Sequence, residues 1–347
     1  MRVWVDLANS PHPLMFEPVA RLLEDRGHEV VVTARDNAQT VELARAVWPA
    51  VKVVGGTSPM SRIGKVATLA DRVRELRRFA TRERPNVALS HNSYAQVVAA
   101  RTLGIPAVTA MDYEHQPANH LAFRLASFIF LPEALRGSGV EGQGASSAKT
   151  RYYEGLKEEL YLGEFTPDPE VLGKLGIQRS DSTAIVVART APSRATYHRF
   201  ENALFTDVLE LLEAEDGVLC VVLPRRLEER EELAAIGRGR LIVAQEVVDS
   251  RSLMAAADLV VGAGGTMTRE AALLGVPTVT LFGGRPAAVD RWLEQQGLLH
   301  RLERAEDVLP VARRRVGDGG ELPRLRARGE RLRAQLVDAV IEMANAS

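Results

Sequence analysis

Two glycines, Gly264 and Gly265, close the apolar run DLVVGAGG, and Thr266, Met267 and Glu270 follow within about one helical turn. Glycine permits a tight turn and lets backbone N–H groups come close to a ligand. If Thr266 and Met267 open a helix, their amides and the positive end of its dipole form an anion site suited to phosphate. Glu270, one turn further in, then offers a carboxylate to a ribose diol. A nucleoside diphosphate fits this set of groups. The same turn also occurs in α/β proteins that bind nothing there, so the motif needs support from elsewhere in the chain.

Groups able to move a proton lie mainly in the first half. His12 falls in NSPHP, just after the first strand-like run, and Asp112, Glu114 and His115 follow the run PAVTA directly. His91 ends another such run. Histidine titrates in the range a general base needs, although a turn residue between two prolines can also be a plain surface histidine. Three ionisable groups within four positions are hard to explain by packing. In the second half, Arg189 and Arg194 flank a loop that also offers Thr190 and Ser193, and arginine suits bidentate phosphate contact.

Other chemistries are excluded by motif. The chain lacks a G-x-G-x-x-G after its first strand and a G-x-x-x-x-G-K-[ST] anywhere, which argues against a dinucleotide dehydrogenase and a P-loop nucleotidase. It has no D-x-D triplet and no H-E-x-x-H, so no metal and no cofactor is expected.

These residues need a scaffold. The 347 residues carry a formal net charge of -1 and are 46% apolar. That is enough chain for two domains with separate cores, and the charge balance gives no global pull toward nucleic acid or anionic membrane. Lysine occurs only at Lys52, Lys65, Lys149, Lys157 and Lys174, so nearly all positive charge is arginine. The lone Cys220, inside VLCVVL, reads as a buried thiol. Asp6 and Asn9 interrupt the segment where a secretory signal would need an apolar run, so a cytoplasmic location is expected, with at most peripheral membrane contact.

Short β-branched runs alternate with helical patterns: RVWVDL, a helix from about Leu14 to Asp25, EVVVTA, a helix through Ala46, VKVV, and a long helix from about Ser61 to Glu83. NVALS, PAVTA and SFIFL continue the rhythm. It breaks between about Arg136 and Pro169, then restarts with TAIVVAR, VLCVVLP, RLIVA, DLVVGAGG and PTVTLF. Such alternation predicts parallel sheets covered by helices on both faces. The expected organisation is a Rossmann-like domain over residues 1–155, a second over 156–320, and a C-terminal amphipathic helix over 321–347. Two such halves leave a cleft, and ligands of open parallel sheets bind beyond the carboxyl ends of the strands. The helix over 61–83 places Ile63, Val66, Ala70, Val73 and Leu76 on one apolar face, and residues 62–84 hold eight basic and three acidic side chains. This basic helix suits docking to anionic lipid.

GAGGTMTREAALLGVP resembles the donor-binding segment of two-domain, GT-B type glycosyltransferases. Val247 to Val261, VVDSRSLMAAADLVV, resembles the segment whose backbone contacts the nucleotide base, which implies a base contact at Val248. Ser90 to Pro132 resembles an N-domain segment of the lipid II-forming N-acetylglucosaminyltransferase. WVDLANSPHPLMFEP, YEGLKEELYLGEFTPDPEVL and RTAPSRATYHRFEN resemble a family described only as predicted glycosyltransferases, over nearly the whole chain. The non-hydrolysing UDP-N-acetylglucosamine 2-epimerases share the architecture and a similar glycine-plus-Glu segment.

The resemblance implies an α/β GT-B fold with two doubly wound parallel sheets facing a central cleft. It implies transfer of a sugar from a nucleotide-diphosphate donor, a UDP-sugar in the first instance, to an acceptor in envelope or polysaccharide synthesis. The base would come from His12, Asp112, Glu114 and His115, with His12 or Asp112 foremost. Arg189, Ser193, Arg194, Gly264, Gly265, Thr266, Met267 and Glu270 would hold the donor, with Arg285 and Asp290 facing its sugar. A lipid-linked acceptor would suit the basic helix and a place at the inner membrane face. The rivals are a UDP-sugar epimerase using Asp112 with Glu114, and a nucleotide-sugar-binding protein without catalysis. The loops DLANSPHP and ARTAPSRATYH depart from the glycine-rich loops of the lipid II enzyme, so its contacts do not carry over there.

Overall fold

The structure is a computed structural model that describes residues 1–56, 62–190, 203–224, 229–245, 248–312 and 322–346, without the side chains at 62, 63 and 65. The chain forms two compact units. The first comprises Met1–Gly163, Ala287–Val289 and Arg326–Ser347, and the second Glu164–Pro286 and Asp290–Leu325.

In the first unit, β1 (Arg2–Leu7), β2 (Glu29–Ala34), β3 (Lys52–Val53), β4 (Val87–His91), β5 (Ala107–Ala110), β6 (Phe128–Pro132) and β7 (Thr150–Tyr153) form one sheet in the order β3-β2-β1-β4-β5-β6-β7. Every pairing is parallel. The helices between strands are α1 (Pro11–Asp25), α2 (Thr40–Val47), α3 (Arg62–Glu83), α4 (Tyr94–Thr102) and α5 (Asn119–Leu125), followed by the short α6 (Glu159–Leu162). β1 and β4 sit at the centre, buried on both faces, which is why they read as continuous apolar runs. Trp4 is fully buried and its Nε1 donates to Thr33 Oγ1 at 2.9 Å, so the largest core side chain also satisfies its polar atom.

A buried ion pair fixes the end of β1. Arg72 of α3 donates through Nη2 to both oxygens of Asp6 at 2.9 Å, Thr33 Oγ1 donates to Asp6 Oδ1 at 2.6 Å, and Ser93 Oγ donates to Oδ2. Arg72 therefore occupies an inward position of α3. The expected apolar face of this helix is rotated: Leu76 and Ala80 are buried, but Val66 is 67% exposed and Ala70 is also exposed. The side chain of Ile63 lies outside the described residues.

In the second unit, β8 (Ala184–Arg189), β9 (Val218–Leu223), β10 (Leu241–Val243), β11 (Leu259–Gly262), β12 (Thr278–Thr280) and β13 (His300–Arg301) form a parallel sheet in the order β10-β9-β8-β11-β12-β13. Its helices are α7 (Val171–Lys174), α8 (Ala203–Ala214), α9 (Glu229–Ile236), α10 (Ser250–Ala255), α11 (Thr266–Leu273) and α13 (Val308–Ala312), while α12 (Ala288–Gln295) counts with the first unit through Val289 and with the second from Asp290. Val186, Val208, Leu212, Cys220 and Val261 belong to its core. Complete burial pushes the Cys220 thiol up to about 12 and leaves it inert. The last helix, α14 (Leu322–Asn345), counts with the first unit from Arg326 onward, where Arg328 Nε pairs with Glu159 Oε2 at 2.9 Å.

Both strand orders reverse once, between β1 and β4 and between β8 and β11. At such a point the loops leaving neighbouring strands diverge to opposite faces and open a crevice beyond the carboxyl ends. Functional side chains are therefore to be sought after β1 and β4 in the first unit and after β8 and β11 in the second.

Candidate functional site

The first reversal holds a cluster of ionisable groups. His12 lies in the first turn of α1 and is 2% exposed, so it is no surface turn residue. Its Nδ1 accepts from Ala8 N at 3.0 Å, and its ring meets Phe16 and His91 edge-on at centroid distances of 6.2 and 5.3 Å. Burial, first of all, holds His12 well below the usual histidine range; His91, Lys157 and Arg72 push the same way and Asp112 opposes them.

Asp112 follows β5 and is 8% exposed. Its Oδ2 pairs with Lys157 Nζ, and its Oδ1 lies 3.4 Å from His91 Nε2. Lys157 also contacts Glu158 Oε1 at 2.7 Å. Four strand ends thus deliver this cluster: His12 from β1, His91 from β4, Asp112 from β5 and Lys157 from β7. Asn92, between His91 and the α4 cap Ser93, has φ 56, a left-handed conformation that asparagine adopts more readily than most residues.

Glu114 and His115 make contacts of their own. Glu114 is buried, accepts from Ala288 N at 2.9 and 3.2 Å, and lies 3.3 Å from His115 Nε2. Of the residues named from sequence, Asp112 and His12 stand together, with His91 between their elements. Sequence reasoning missed Lys157, which the structure places against Asp112. Its signal was the run KEE inside GLKEELYL, where three consecutive charges interrupt an otherwise apolar stretch.

The second reversal holds the glycine turn. Gly264 and Gly265 have φ 81 and 91, and Gly265 is the N-cap of α11, so no side chain caps the helix. A Cβ on Gly262 would meet Thr268 Oγ1 at 2.5 Å, whereas one on Gly265 would meet nothing within 4 Å. The turn is tight beneath and open above Gly265, where backbone can approach a ligand. Thr266 and Met267 form the first turn, half-buried, and Glu270 is buried one turn further on.

Neighbouring residues are committed in different ways. Arg189, at the end of β8, donates to Leu223 O and Pro224 O at 3.4 and 3.2 Å. Thr190 donates to Glu229 Oε2 at 2.8 Å. Asp290 is buried and accepts from Arg269 Nε at 2.7 Å, whereas Arg285 is exposed. Val248 precedes Asp249, whose carboxylate accepts from Arg251 N at 3.2 Å and Ser252 Oγ at 2.6 Å to start α10. Ser193 and Arg194 lie outside the described residues. Among the described residues no group of three His, Cys, Asp or Glu could hold a metal ion, and no helix is long and apolar enough to cross a membrane.

The chain belongs to the family described as Protein of unknown function (DUF354), which matches residues 1–345. It is 30% identical over 308 residues to Uncharacterized protein MJ0665 of Methanocaldococcus jannaschii, covering 86% of this chain and 87% of that protein. Its structure is similar to the UDP-GlcNAc 2-epimerase of the same organism in complex with UDP-GlcNAc and UDP, with a TM-score of 0.70 at 15% identity, covering 97% of this chain and 100% of that one. It is similar as well to the glycotransferase of kitacinnamycin, with a TM-score of 0.66 at 15% identity, covering 99% and 98%. At these identities the likeness shows the fold, which is GT-B with two Rossmann-like parallel-sheet units.

Proposed function

We propose that this DUF354 member is a glycosyltransferase that takes a sugar from a nucleoside-diphosphate donor, a UDP-sugar in the first instance. The observation that carries the reading is the open turn at Gly264 and Gly265 ahead of α11, with the buried Glu270 one turn in. The amides opening α11 receive the diphosphate, and Glu270 accepts from the ribose diol. The Val248 segment contacts the base. Arg189 and Arg285, with Ser193 and Arg194, supply polar and cationic contacts to the diphosphate and sugar.

In the reaction, the acceptor oxygen bonds to the anomeric carbon while the bond from that carbon to the diphosphate oxygen breaks. The nucleoside diphosphate leaves with the electron pair, and the acceptor proton passes to a general base. Asp112 with His91 beside it takes this proton. Lys157 holds Asp112 in place. No metal is required in this scheme, so chelation with EDTA leaves turnover unchanged.

Calorimetric titration with UDP, GDP, dTDP and their sugar conjugates tests the donor site. Selective binding of one nucleotide that Glu270→Ala abolishes supports it, whereas absence of binding to all of them removes the main support.

The exposed Arg74, Arg77, Arg78 and Arg82 of α3 favour an acceptor carried on an anionic surface, and with it a cytoplasmic protein at the inner membrane face in envelope or polysaccharide synthesis. Sedimentation with phosphatidylglycerol vesicles, compared with neutral ones, tests this.

A second reading, interconversion of UDP-sugars, is favoured by the likeness to the 2-epimerase fold. It calls for paired carboxylates, and here Asp112 and Glu114 turn to different partners. Conversion of UDP-GlcNAc without an acceptor would decide for it.

A further inference from the structure

We propose that His12 serves the reaction as a fixed hydrogen-bond donor, presenting Nε2–H to an oxygen of the reacting sugar or its acceptor, and never as the base. The inference rests on the transferase reading above and assigns one residue within it.

Ala8 decides where the ring of His12 carries its hydrogen. Its backbone N–H points at His12 Nδ1 across 3.0 Å, so Nδ1 is an acceptor. A neutral imidazole carries one hydrogen, and that hydrogen must then sit on Nε2. To take a proton at Nε2 the ring would first have to carry its hydrogen on Nδ1, where it would face the Ala8 N–H. Both the other tautomer and the cation are opposed by the same backbone group.

The surroundings act in the same direction. Facing His12 are His91 from β4, Asp112 beyond β5, Lys157 beyond β7 and Arg72 from α3, and the net effect with burial is to keep the ring neutral. Phe16 and His91 meet the ring in edge-on contacts that fix its orientation. Among the described residues the ring makes one hydrogen bond, the one from Ala8. Nε2–H is therefore a donor with no partner within the described chain, in a side chain 2% exposed, at the point where the strand order of the first unit reverses. A neutral imidazole held in this way polarises oxygen without exchanging a proton, and no bond to His12 forms or breaks.

Two measurements test this. In protein labelled with 15N-histidine, long-range proton–nitrogen correlation spectra assign the ring by its loss in His12→Gln. The expected pattern is an unprotonated Nδ1 and a protonated Nε2, unchanged between pH 8 and pH 5. Hydrogen on Nδ1, or ordinary titration near neutrality, overturns the proposal.

Turnover of the nucleotide sugar that binds then separates donor from scaffold. Glutamine keeps an N–H near the position of Nε2, while asparagine keeps an acceptor near Nδ1 for Ala8 but has no distal donor. His12→Gln is expected to stay within about tenfold of the parent in kcat, and His12→Asn to lose roughly 10²–10³-fold. Equal losses in both, or the reverse order, overturn the donor role. If the parent binds UDP-sugars but turns none over with any acceptor, the transferase reading falls and the donor role with it, even where the spectra uphold the tautomer.

Discussion

Arg72 and Asp6, 66 positions apart, meet with both carboxylate oxygens 2.9 Å from one guanidinium nitrogen, and both side chains are buried. The pair ties α3 to the end of β1, just ahead of α1 and its first-turn His12. With Thr33 and Ser93 also donating to Asp6, the carboxylate is satisfied only while every partner stays in place.

Removing one partner leaves a buried charge without compensation. Arg72→Met is expected to destabilise the first unit by about 3–5 kcal/mol. Urea unfolding followed by tryptophan fluorescence reads this, since Trp4 reports on the same sheet. A loss below about 1 kcal/mol would mean that the pair is solvated and contributes as a surface ion pair does.

The glycine turn makes two contrasting predictions. Gly262→Ala forces its Cβ into Thr268 Oγ1, 2.5 Å away, and should cost about 1–3 kcal/mol through overpacking. Gly265→Ala has room, but its backbone, at φ 91 and ψ -171, lies in a region reserved for glycine, at a similar cost of about 1–3 kcal/mol. The two differ in binding. Only Gly265→Ala sets a methyl group on the open side of the turn, and it should weaken nucleotide affinity by tenfold or more in calorimetry, against a smaller change for Gly262→Ala.

Lys157 faces two carboxylates, Asp112 and Glu158, with all three side chains buried. Lys157→Met leaves two acids without their cation, and a loss of about 3–5 kcal/mol follows. On the proposed reading, turnover falls with it at temperatures where the variant remains folded, while UDP affinity, a property of the second unit, stays within about twofold. Loss of UDP binding by a folded Lys157→Met protein would contradict the division of labour between the units.

How much of this is written in local sequence depends on the range of the interaction. EVVVTA and VLCVVL are legible as strands because parallel strands covered on both faces need β-branched residues at successive positions, and the sequence displays that directly. The glycine turn is legible for a similar reason, since Gly264 and Gly265 take backbone angles that other residues resist. The inward face of α3 is not legible. Periodicity ranks Val66 as core and Arg72 as surface, and only the distant Asp6 reverses the order for Arg72. The partners of Asp112 and Glu114 are hidden likewise, because Lys157 and Ala288 lie 45 and 174 positions away in sequence.

Acid stability offers the last prediction. His12 is held neutral in the folded protein, far below its usual range, mainly by burial. In the unfolded chain the ring titrates near the ordinary histidine value of about 6.5. Below that pH the unfolded chain binds a proton that the folded chain refuses, so the unfolded state gains and stability falls as pH drops. The limiting slope for one such group is about 1.4 kcal/mol per pH unit, and above about pH 7.5 the contribution is flat. Other groups also titrate in acid, the Asp168 and Glu133 carboxylates among them, so the comparison must be with a variant lacking the ring. Urea midpoints at pH 8, 7, 6 and 5 are therefore expected to fall more steeply in the parent than in His12→Gln. The excess should set in between about pH 7.5 and 6.5 and approach its limiting slope below about pH 5.5. Parallel curves would show that folded His12 accepts a proton as readily as the unfolded ring, and the bond from Ala8 would then have no hold on its tautomer.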